Sequence, residues 1–465
     1  MTGELHEECG VFGVWNVDNA ANLAYYGLHA LQHRGQEAAG IVCVDSDGTF
    51  TRTKGEGLVT EVFNQKNLSI LNGRNSIAHV RYATAGGGGL DNVQPFLFHH
   101  HEGNFALCHN GNLVNSTALK RYLENRGTLF QSTSDSELLA HLIKVSHHRG
   151  DHRNFNEKYP MLATISSALN MLEGAFAFLV LTADAMYCMR DKYGLRPLSL
   201  GKLNDGWVVC SETCAMDTIG AEFVRDIEPG EVIVINNDGI YSSRYSGFHH
   251  HYMCAMEYVY FARPDSDIED INVHAYRKQS GRILYHEAPV EADIVVGVPD
   301  SSLSAAMGYS EESGIPYEMG LIKNKYIGRT FIQPTQELRE QGVRMKLSAV
   351  RTIVKGKRVI VIDDSIVRGT TSRRIVNLLR EAGATEVHMR IASPPYAHPC
   401  YYGVDTATYE ELISSRLSVE ELRQKIGADS LHFLSIEGLY KSGNRCELCT
   451  ACFSGNYPTS LYDNK

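Results

Sequence analysis

The chain has 465 residues, 43% of them hydrophobic and 21% charged, which is an ordinary balance for a soluble globular protein. The length predicts two or three domains. A formal net charge of -10 argues against a general nucleic-acid binder, and no apolar run reaches membrane-spanning length. The polar, acidic residues 1–8 are unlike a secretory signal, so we expect a cytoplasmic protein with no membrane partner.

Eleven cysteines are many for a cytoplasmic chain, and their odd number and scattered spacing do not suggest a disulfide framework. Catalysis and metal binding are better explanations for them. The first candidate is Cys9, which begins the apolar run to Trp15. By itself, Cys9 would be a small buried hydrophobic residue. Its significance therefore depends on the segments that follow.

Four polar segments stand between apolar runs in the first half, at residues 27–41, 79–84, 109–113 and 134–137. The last three of them contain residues with an ordinary structural explanation. Arg81 is explained by a surface ion pair. Asn110 followed by Gly111 is a strong hairpin-turn signal. Asp135 is explained by a helix start, because the surrounding Ser-x-x-Glu pattern predicts a capping box.

As a set with Cys9, these segments resemble the class II glutamine amidotransferase domain of the N-terminal-nucleophile hydrolases, over roughly residues 9–240. The resemblance implies a four-layer αββα sandwich. It also implies that residues 1–8 are a propeptide whose removal makes Cys9 the first residue. A free α-amino group has a pKa near 8, so it can act as the base for its own thiol at neutral pH.

The resemblance also assigns roles to the polar segments. Arg81 is expected to bind the glutamine α-carboxylate, since a guanidinium pairs with a carboxylate through two hydrogen bonds. Asp135 is expected to accept hydrogen bonds from the α-ammonium. Asn110 and the Gly111 N–H are expected to form an oxyanion hole.

From about residue 254 the pattern becomes α/β. The β-branched run Val359–Ile362 predicts a buried parallel strand. Asp363 and Asp364 follow it. A short loop then precedes a helix with its apolar residues on one face and Gly383 as its stop. Free N–H groups and the helix dipole favour a phosphate at such a helix start, where hydroxyls add donors at Ser365, Thr370 and Thr371.

The two acidic residues are suited to ribose hydroxyls or to Mg²⁺ rather than to the phosphate, because like charges repel. The alternative is an ordinary αβ unit with Asp at a strand end. The segment resembles the phosphoribosyl pyrophosphate (PRPP) motif of type I phosphoribosyltransferases. The resemblance implies a parallel-sheet domain and a PRPP site formed by Asp363, Asp364, Ser365, Arg368, Gly369, Thr370 and Thr371.

Two further segments are assigned to the same site. The apolar run from Ala292 ends in hydroxyl residues, and by resemblance Ser301 joins Asp363 and Asp364 around Mg²⁺; a simple strand-to-helix cap is the alternative. The basic segment 323–351 matches a flexible loop of amidophosphoribosyltransferases that closes over PRPP. Lys325 and Arg329 are the expected pyrophosphate contacts, and a solvated charged face is the alternative.

The motif Cys446-x-x-Cys449-x-x-Cys452 suits zinc, a redox dithiol or an iron–sulfur cluster. By resemblance to the iron–sulfur subgroup of amidophosphoribosyltransferases, the ligands of a 4Fe–4S cluster are Cys254, Cys400, Cys449 and Cys452. Cys446 is then a bystander, although sequence alone permits it to replace a ligand. Such a cluster would clamp the C-terminal tail to the transferase domain, near the junction of the two domains.

Both halves together resemble the amidophosphoribosyltransferase family, with a propeptide at 1–8, a glutamine amidotransferase domain at 9–240 and a phosphoribosyltransferase domain with its cluster-binding tail at 254–465. The family makes 5-phosphoribosylamine from PRPP and glutamine, opens purine synthesis, and is usually a homotetramer inhibited by purine nucleotides. The rivals are another class II amidotransferase, such as an amino-sugar or asparagine synthase, and a non-catalytic PRPP sensor.

Overall fold

The structure is a computed structural model that describes residues 9–82, 88–100, 103–148, 159–324, 347–406, 408–445 and 447–461. The expected propeptide, residues 1–8, lies outside the described residues. The same holds for Lys325, Arg329 and Cys446. What the sequence predicts for these positions therefore stays a prediction.

The first half is built mainly from antiparallel strands. They are β1 (Gly10–Trp15), β2 (Ala38–Val44), β3 (Phe50–Glu56), β4 (Asn75–Arg81), β5 (Phe96–Phe98), β6 (Phe105–Leu113), β7 (Gly174–Leu181), β8 (Ala185–Arg190), β9 (Ser199–Leu203), β10 (Gly206–Cys210), β11 (Glu222–Asp226), β12 (Glu231–Asn236) and β13 (Gly239–Arg244). The helices are α1 (Ala20–Ala30), α2 (Val59–Val62), α3 (Gln65–Leu68), α4 (Ser116–Glu124), α5 (Glu137–His148), α6 (Pro160–Leu169) and α7 (Thr213–Ile219).

These strands form two sheets, with the orders β11-β9-β10-β1-β4-β2-β3 and β13-β12-β8-β7-β6-β5. Successive side chains of a strand point to opposite faces, so each sheet has an inner and an outer apolar face. Val11 of β1 and Leu179 of β7 meet in the core between the sheets. Phe12 packs outward with α1 and α7, whereas Phe178 packs outward with α5 and α6. The predicted αββα sandwich is confirmed.

The second half contains short strands and longer helices. The strands are β14 (Met253–Cys254), β15 (Asp267–Ile268), β16 (Ile271–Asn272), β17 (Ile294–Gly297), β18 (Leu321–Lys323), β19 (Leu347–Ala349), β20 (Arg358–Asp363), β21 (Glu386–Ile391), β22 (Ser430–Phe433) and β23 (Leu448–Cys449). The helices are α8 (Val273–Glu287), α9 (Leu303–Ser313), α10 (Arg351–Val354), α11 (Thr370–Glu381), α12 (Val419–Ile426), α13 (Ile436–Ser442) and α14 (Ala451–Ser454).

A parallel sheet of order β17-β20-β21-β22 forms the core of this half. Its central strand β20 is buried on both faces, because Ile360 and Ile362 pack towards α8 and α9 while Val359 and Val361 pack towards α11 and α12. The predicted helix after the acidic pair is α11, and it is followed by Gly383 at φ 101°. The predicted βαβ unit with a parallel sheet is confirmed.

The two halves are joined through main-chain and side-chain contacts. The Cys254 N–H donates to the Leu195 carbonyl over 3.3 Å, and the Arg34 guanidinium donates to the Glu257 carboxylate over 2.7 Å. In addition, β14 pairs in parallel with β23, which brings the C-terminal tail to the segment that follows the first half. None of the helices in the described ranges has the length and apolar character needed to cross a membrane.

Candidate active sites

Cys9 stands immediately before β1, beside the end of β4. The pairing of Gly10 with Val80 brings it there, and the Cys9 thiol donates to the Tyr82 carbonyl over 3.6 Å. Burial raises the pKa of the Cys9 thiol; the Tyr82 carbonyl contact and the Arg81 charge oppose this effect, and Asp135 adds to it. The thiol is therefore protonated at neutral pH and needs a base before it can act as a nucleophile.

Arg81 and Asp135 lie close enough to Cys9 for both charges to act on its thiol. Arg81 ends β4 and is only 5% exposed, so the surface location considered for it is wrong. Asp135 precedes α5, and its carboxylate accepts the Leu113 N–H over 2.8 Å. The structure thus brings together a thiol, a cation and an anion that are far apart in the sequence.

Asn110 and Gly111 lie inside β6, opposite Ala177 and Phe176 of β7, so the hairpin turn considered for them is wrong. Gly111 has φ 140°, and a Cβ at this position would lie 2.1 Å from the Ala175 carbonyl oxygen. A glycine is therefore required there. The Asn110 side-chain amide nitrogen is buried and has no hydrogen-bond partner among the described residues, so it is available to a ligand.

The capping box predicted around Asp135 takes a different form. Glu137 does begin α5, but its carboxylate accepts the Gln131 N–H at 2.9 Å and the Ser132 N–H at 2.8 Å. The Ser134 hydroxyl instead accepts the Ser136 N–H over 3.3 Å. Glu137 therefore organises the loop that leads to Asp135 rather than capping its own helix through Ser134.

The sequence analysis gave no role to a buried ion network beside Cys9. Arg34 donates to the Cys9 carbonyl over 3.1 Å, to Glu212 over 2.6 Å and to Glu257 over 2.7 Å. Burial alone lowers the pKa of Arg34, but Glu257 and Glu212 outweigh that effect and raise it. Arg34 lies in the polar segment 27–41, but its pairing with Glu212 and with Glu257 of the second half is a tertiary contact.

Asp363 and Asp364 meet Ser301 at the carboxyl end of the parallel sheet. The Ser301 hydroxyl donates to Asp364, and the Ser365 hydroxyl donates to the same carboxylate over 2.6 Å. The Asp364 N–H donates to Asp363 over 3.0 Å. Burial raises the pKa of both carboxyl groups, and the Asp364 charge raises that of Asp363 further. At Asp364, the hydrogen bonds from Ser301 and Ser365 and the charge of Arg277 oppose this increase in pKa.

The loop between Asp364 and α11 leaves the start of the helix open. Gly369 precedes the helix at φ 74°, and the first turn has no side-chain cap. Thr370 is exposed and Thr371 is half-buried. Arg368, predicted to contact PRPP, forms an ion pair with Glu411 over 3.1 Å. The helix N-terminus and the hydroxyls are thus accessible to an anion.

Four cysteines from distant parts of the sequence converge beside the domain junction. Cys254 of β14 is the pairing partner of Cys449 of β23. Burial raises the pKa of the Cys452 thiol, and so do the neighbouring Cys254, Cys400 and Cys449. The cysteines in the described ranges are free thiols, and no three of the described His, Cys, Asp and Glu residues are grouped to hold a single metal ion.

Two family models match the chain, one in each half. A glutamine amidotransferase domain matches residues 88–218, and a phosphoribosyl transferase domain matches residues 273–416. The first match contains Asn110, Gly111 and Asp135, and the second contains Ser301 and the loop after Asp363. The two sites described above therefore belong to two different domain families.

Curated relatives extend over nearly the whole chain. An amidophosphoribosyltransferase of Bacillus subtilis is 59% identical, with 99% of this chain and 96% of the relative aligned. A protein of the same name from Staphylococcus aureus is 52% identical, with 99% and 92% aligned. This degree of identity over both domains excludes a resemblance limited to either half.

Solved structures agree with these relatives. The B. subtilis glutamine PRPP amidotransferase, in complex with ADP and GMP, has a TM-score of 0.91 at 57% identity and covers 98% of this chain and 99% of its own. A structure described as the allosteric regulatory enzyme of purine biosynthesis has a TM-score of 0.92 at 58% identity, covering 98% and 97%. The chain therefore belongs to the amidophosphoribosyltransferase family, whose enzymes join a glutamine amidotransferase domain to a phosphoribosyltransferase domain and open purine biosynthesis.

Proposed function

We propose that the site at Cys9 releases ammonia from glutamine and that the site at Asp363 and Asp364 joins this ammonia to PRPP, giving 5-phosphoribosylamine and pyrophosphate. The observation that carries the proposal is that the charges of Arg81 and Asp135 both act on the Cys9 thiol, at the end of β4. A free amino acid carries one carboxylate and one ammonium group, which complement this cation and this anion.

The nucleophile is Cys9 after removal of residues 1–8. The raised pKa of its thiol calls for a base, and the α-amino group freed by the cleavage is the one closest along the chain. The amine takes the thiol proton, and the sulfur attacks the amide carbon of glutamine. Ammonia leaves with that proton, and water then hydrolyses the thioester to glutamate and regenerates the thiol.

The side-chain amide of Asn110 and the N–H of Gly111 stabilise the oxyanion of the tetrahedral intermediate. The buried, unpartnered nitrogen of Asn110 supports this role, since a donor in a dry site has its strongest effect on a charge that appears only in the transition state. Arg81 and Asp135 hold the two charged groups of the amino acid and so place its amide beside the sulfur.

In the second site, the N-terminus of α11 and the hydroxyls of Ser365, Thr370 and Thr371 bind the sugar phosphate. The accessible first turn and the left-handed Gly369 support this role. The carboxylates of Asp363 and Asp364 accept hydrogen bonds from the ribose hydroxyls. Arg368 contributes to this loop through its ion pair with Glu411. Lys325 and Arg329, outside the described residues, are proposed as contacts of the pyrophosphate.

The acidic pair and Ser301 also fit Mg²⁺. Two buried carboxylates with raised pKa values and a hydroxyl at hydrogen-bond distance form an oxygen-rich donor set that a hard divalent cation would stabilise. When bound with the substrate, Mg²⁺ would neutralise charge on the departing pyrophosphate.

The four converging cysteines fit a 4Fe–4S cluster. Four cysteine thiolates are the usual ligands of such a cluster, and Cys254, Cys400 and Cys449 are close enough to raise the pKa of Cys452. Cys254, Cys400, Cys449 and Cys452 would hold the cluster, with a structural role at the domain junction. Brown protein with visible absorbance, together with iron and sulfide analysis, would separate it from colourless zinc.

Transfer of ammonia between the sites inside the protein is part of the proposal, because free ammonia is largely protonated, and so not nucleophilic, at neutral pH. The B. subtilis structure with ADP and GMP, and the one described as an allosteric regulatory enzyme, support regulation by purine nucleotides; feedback inhibition is proposed from the family resemblance. A homotetramer is proposed from the family resemblance alone.

The test is pyrophosphate release from PRPP and Mg²⁺, with glutamine or with ammonium at high pH as the nitrogen source. We expect release with both sources, and intact mass should show the loss of residues 1–8. Release with ammonium alone would contradict the roles assigned around Cys9. No release with either source, from protein loaded with its metals, would favour the PRPP-sensing regulator.

A further inference from the structure

The strand that carries Asn110 and Gly111 is held by a segment of the other half, Cys400–Gly403. The Asn112 side-chain amide donates to the Tyr401 carbonyl over 2.9 Å, across 289 residues of sequence. Asn112 directly follows Gly111 in β6. The contact therefore acts next to the peptide group whose N–H is assigned to the oxyanion hole.

A second contact lies at the other end of this segment. Gly403 is buried at φ 123°, and a Cβ built on it would lie 2.9 Å from the Arg196 guanidinium and 3.6 Å from the Gly111 carbonyl carbon. The absence of a side chain lets the segment approach Gly111 directly. The main chains of the two halves are therefore in close contact at Gly403 and Gly111.

The segment is also fixed from the glutaminase side. Arg196 is fully buried and donates to the Tyr402 carbonyl. The Tyr402 ring packs in one apolar cluster with Val114, which follows β6, and with Ala175, which lies opposite Asn112 in β7. Two successive carbonyls of the segment therefore accept hydrogen bonds from the glutaminase half. These two hydrogen bonds indicate that the segment has a fixed position against the glutaminase half.

We propose that Cys400–Gly403 is a positioning element for the oxyanion-binding peptide of the glutaminase site, acting through Asn112. Gly111 has no side chain to restrict its backbone, and its φ of 140° lies in a region that glycine adopts readily. The Asn112–Tyr401 hydrogen bond limits rotation of the adjoining peptide and keeps the Gly111 N–H directed at the substrate. The inference rests on the proposed function of Asn110 and Gly111.

The expected signature is a loss of kcat rather than of glutamine binding. An oxyanion donor acts on the transition state, whereas Arg81 and Asp135 bind the ground state. Loss of one neutral positioning hydrogen bond should lower kcat for glutamine hydrolysis by about tenfold. The ammonia-dependent reaction does not use the oxyanion hole and should be unchanged.

The experiment compares Asn112→Ala with Asn170→Ala in the mature full-length enzyme. Asn170 provides a matched control, because it lies outside β6 and its amide likewise donates to a main-chain carbonyl, that of Tyr245, over 2.7 Å. We expect Asn112→Ala alone to lower kcat while KM for glutamine stays within about twofold. It should also slow inactivation by a diazoketone analogue of glutamine but not alkylation of Cys9 by iodoacetamide. Gly403→Ala should have the same signature.

Two outcomes would overturn the inference. One is equal kinetics for Asn112→Ala and Asn170→Ala with an active parent enzyme. The other is a rise in KM with kcat unchanged, which would mean that Asn112 affects glutamine binding. A parent enzyme that shows no glutaminase activity would instead contradict the proposed function itself. Thermal unfolding of each variant separates these results from a general loss of stability.

Discussion

The two proposed catalytic sites are built in opposite ways. The glutaminase site gathers Cys9, Arg81, Asn110 and Asp135 from separate elements, and a buried ion network supports it. The PRPP site is mostly one continuous segment after β20, joined by Ser301. A site of the first kind depends on many long-range contacts, whereas one of the second kind depends on a single strand–loop–helix unit. A mutation in the glutaminase site should therefore leave the reaction at the PRPP site intact.

The largest expected effect is a loss of the glutamine-dependent activity alone. Cys9→Ser should lower glutamine-dependent synthesis by at least about a thousandfold, because a hydroxyl is a far weaker nucleophile than a thiolate. Ammonia-dependent synthesis should be retained. Pyrophosphate release with each nitrogen source measures both. Cys43→Ala, at a buried cysteine of β2 in the same half, should retain both activities. Parallel loss of both activities in Cys9→Ser would contradict independent sites.

Asp363→Asn should affect the other site and both nitrogen sources. We expect synthesis with glutamine and with ammonium to fall by about a hundredfold, because both depend on the same PRPP site. Asp293→Asn is the matched control: it changes a carboxylate that accepts from Arg358 at the start of the same sheet, at the edge away from the site. Full activity of Asp363→Asn would mean that the sugar site lies elsewhere.

Breaking the ion network at the junction should reduce stability. Glu257→Ala leaves the buried Arg34 with one fewer carboxylate and also removes a contact of Arg196. We expect a loss of about 3 kcal/mol in the free energy of unfolding, measured by denaturant titration. Glu311→Ala, which removes a solvent-exposed pair with Arg282, should have little effect. Equal losses in the two variants would show that burial of the network is unimportant.

The smallest expected effect is a gain, not a loss, of thermal stability. Asp363→Asn should raise the Tm of the metal-free protein by a few degrees at neutral pH, because burial and the Asp364 charge raise the pKa of Asp363 and penalise its ionised form. The penalty is present above the raised pKa and is relieved as the pH falls towards the ordinary value of 3.8. The gain should therefore shrink in acid. A lower Tm at neutral pH would show that the ionised pair stabilises the fold.

The sequence predicted the PRPP site, which is mostly one continuous segment, better than the glutaminase site, which is assembled from separate elements. The strand, the acidic pair and the helix after Asp364 follow from one stretch of residue types, and the structure has them as predicted. For Asn110 and Gly111 the same kind of reasoning predicted a turn, whereas both residues lie inside β6. Local propensity failed there because pairing with β7 decides the conformation of this segment.

The sequence by itself determined the two domain types, through the resemblance of its motifs to known families, and the residues with suitable chemistry, because motifs are local properties of the chain. Only the tertiary structure decided how those residues support one another. The pairing of Arg34 with Glu257 and the contact of Asn112 with Tyr401 each join the two halves. Such contacts depend on packing between residues hundreds of positions apart, and no local pattern specifies them.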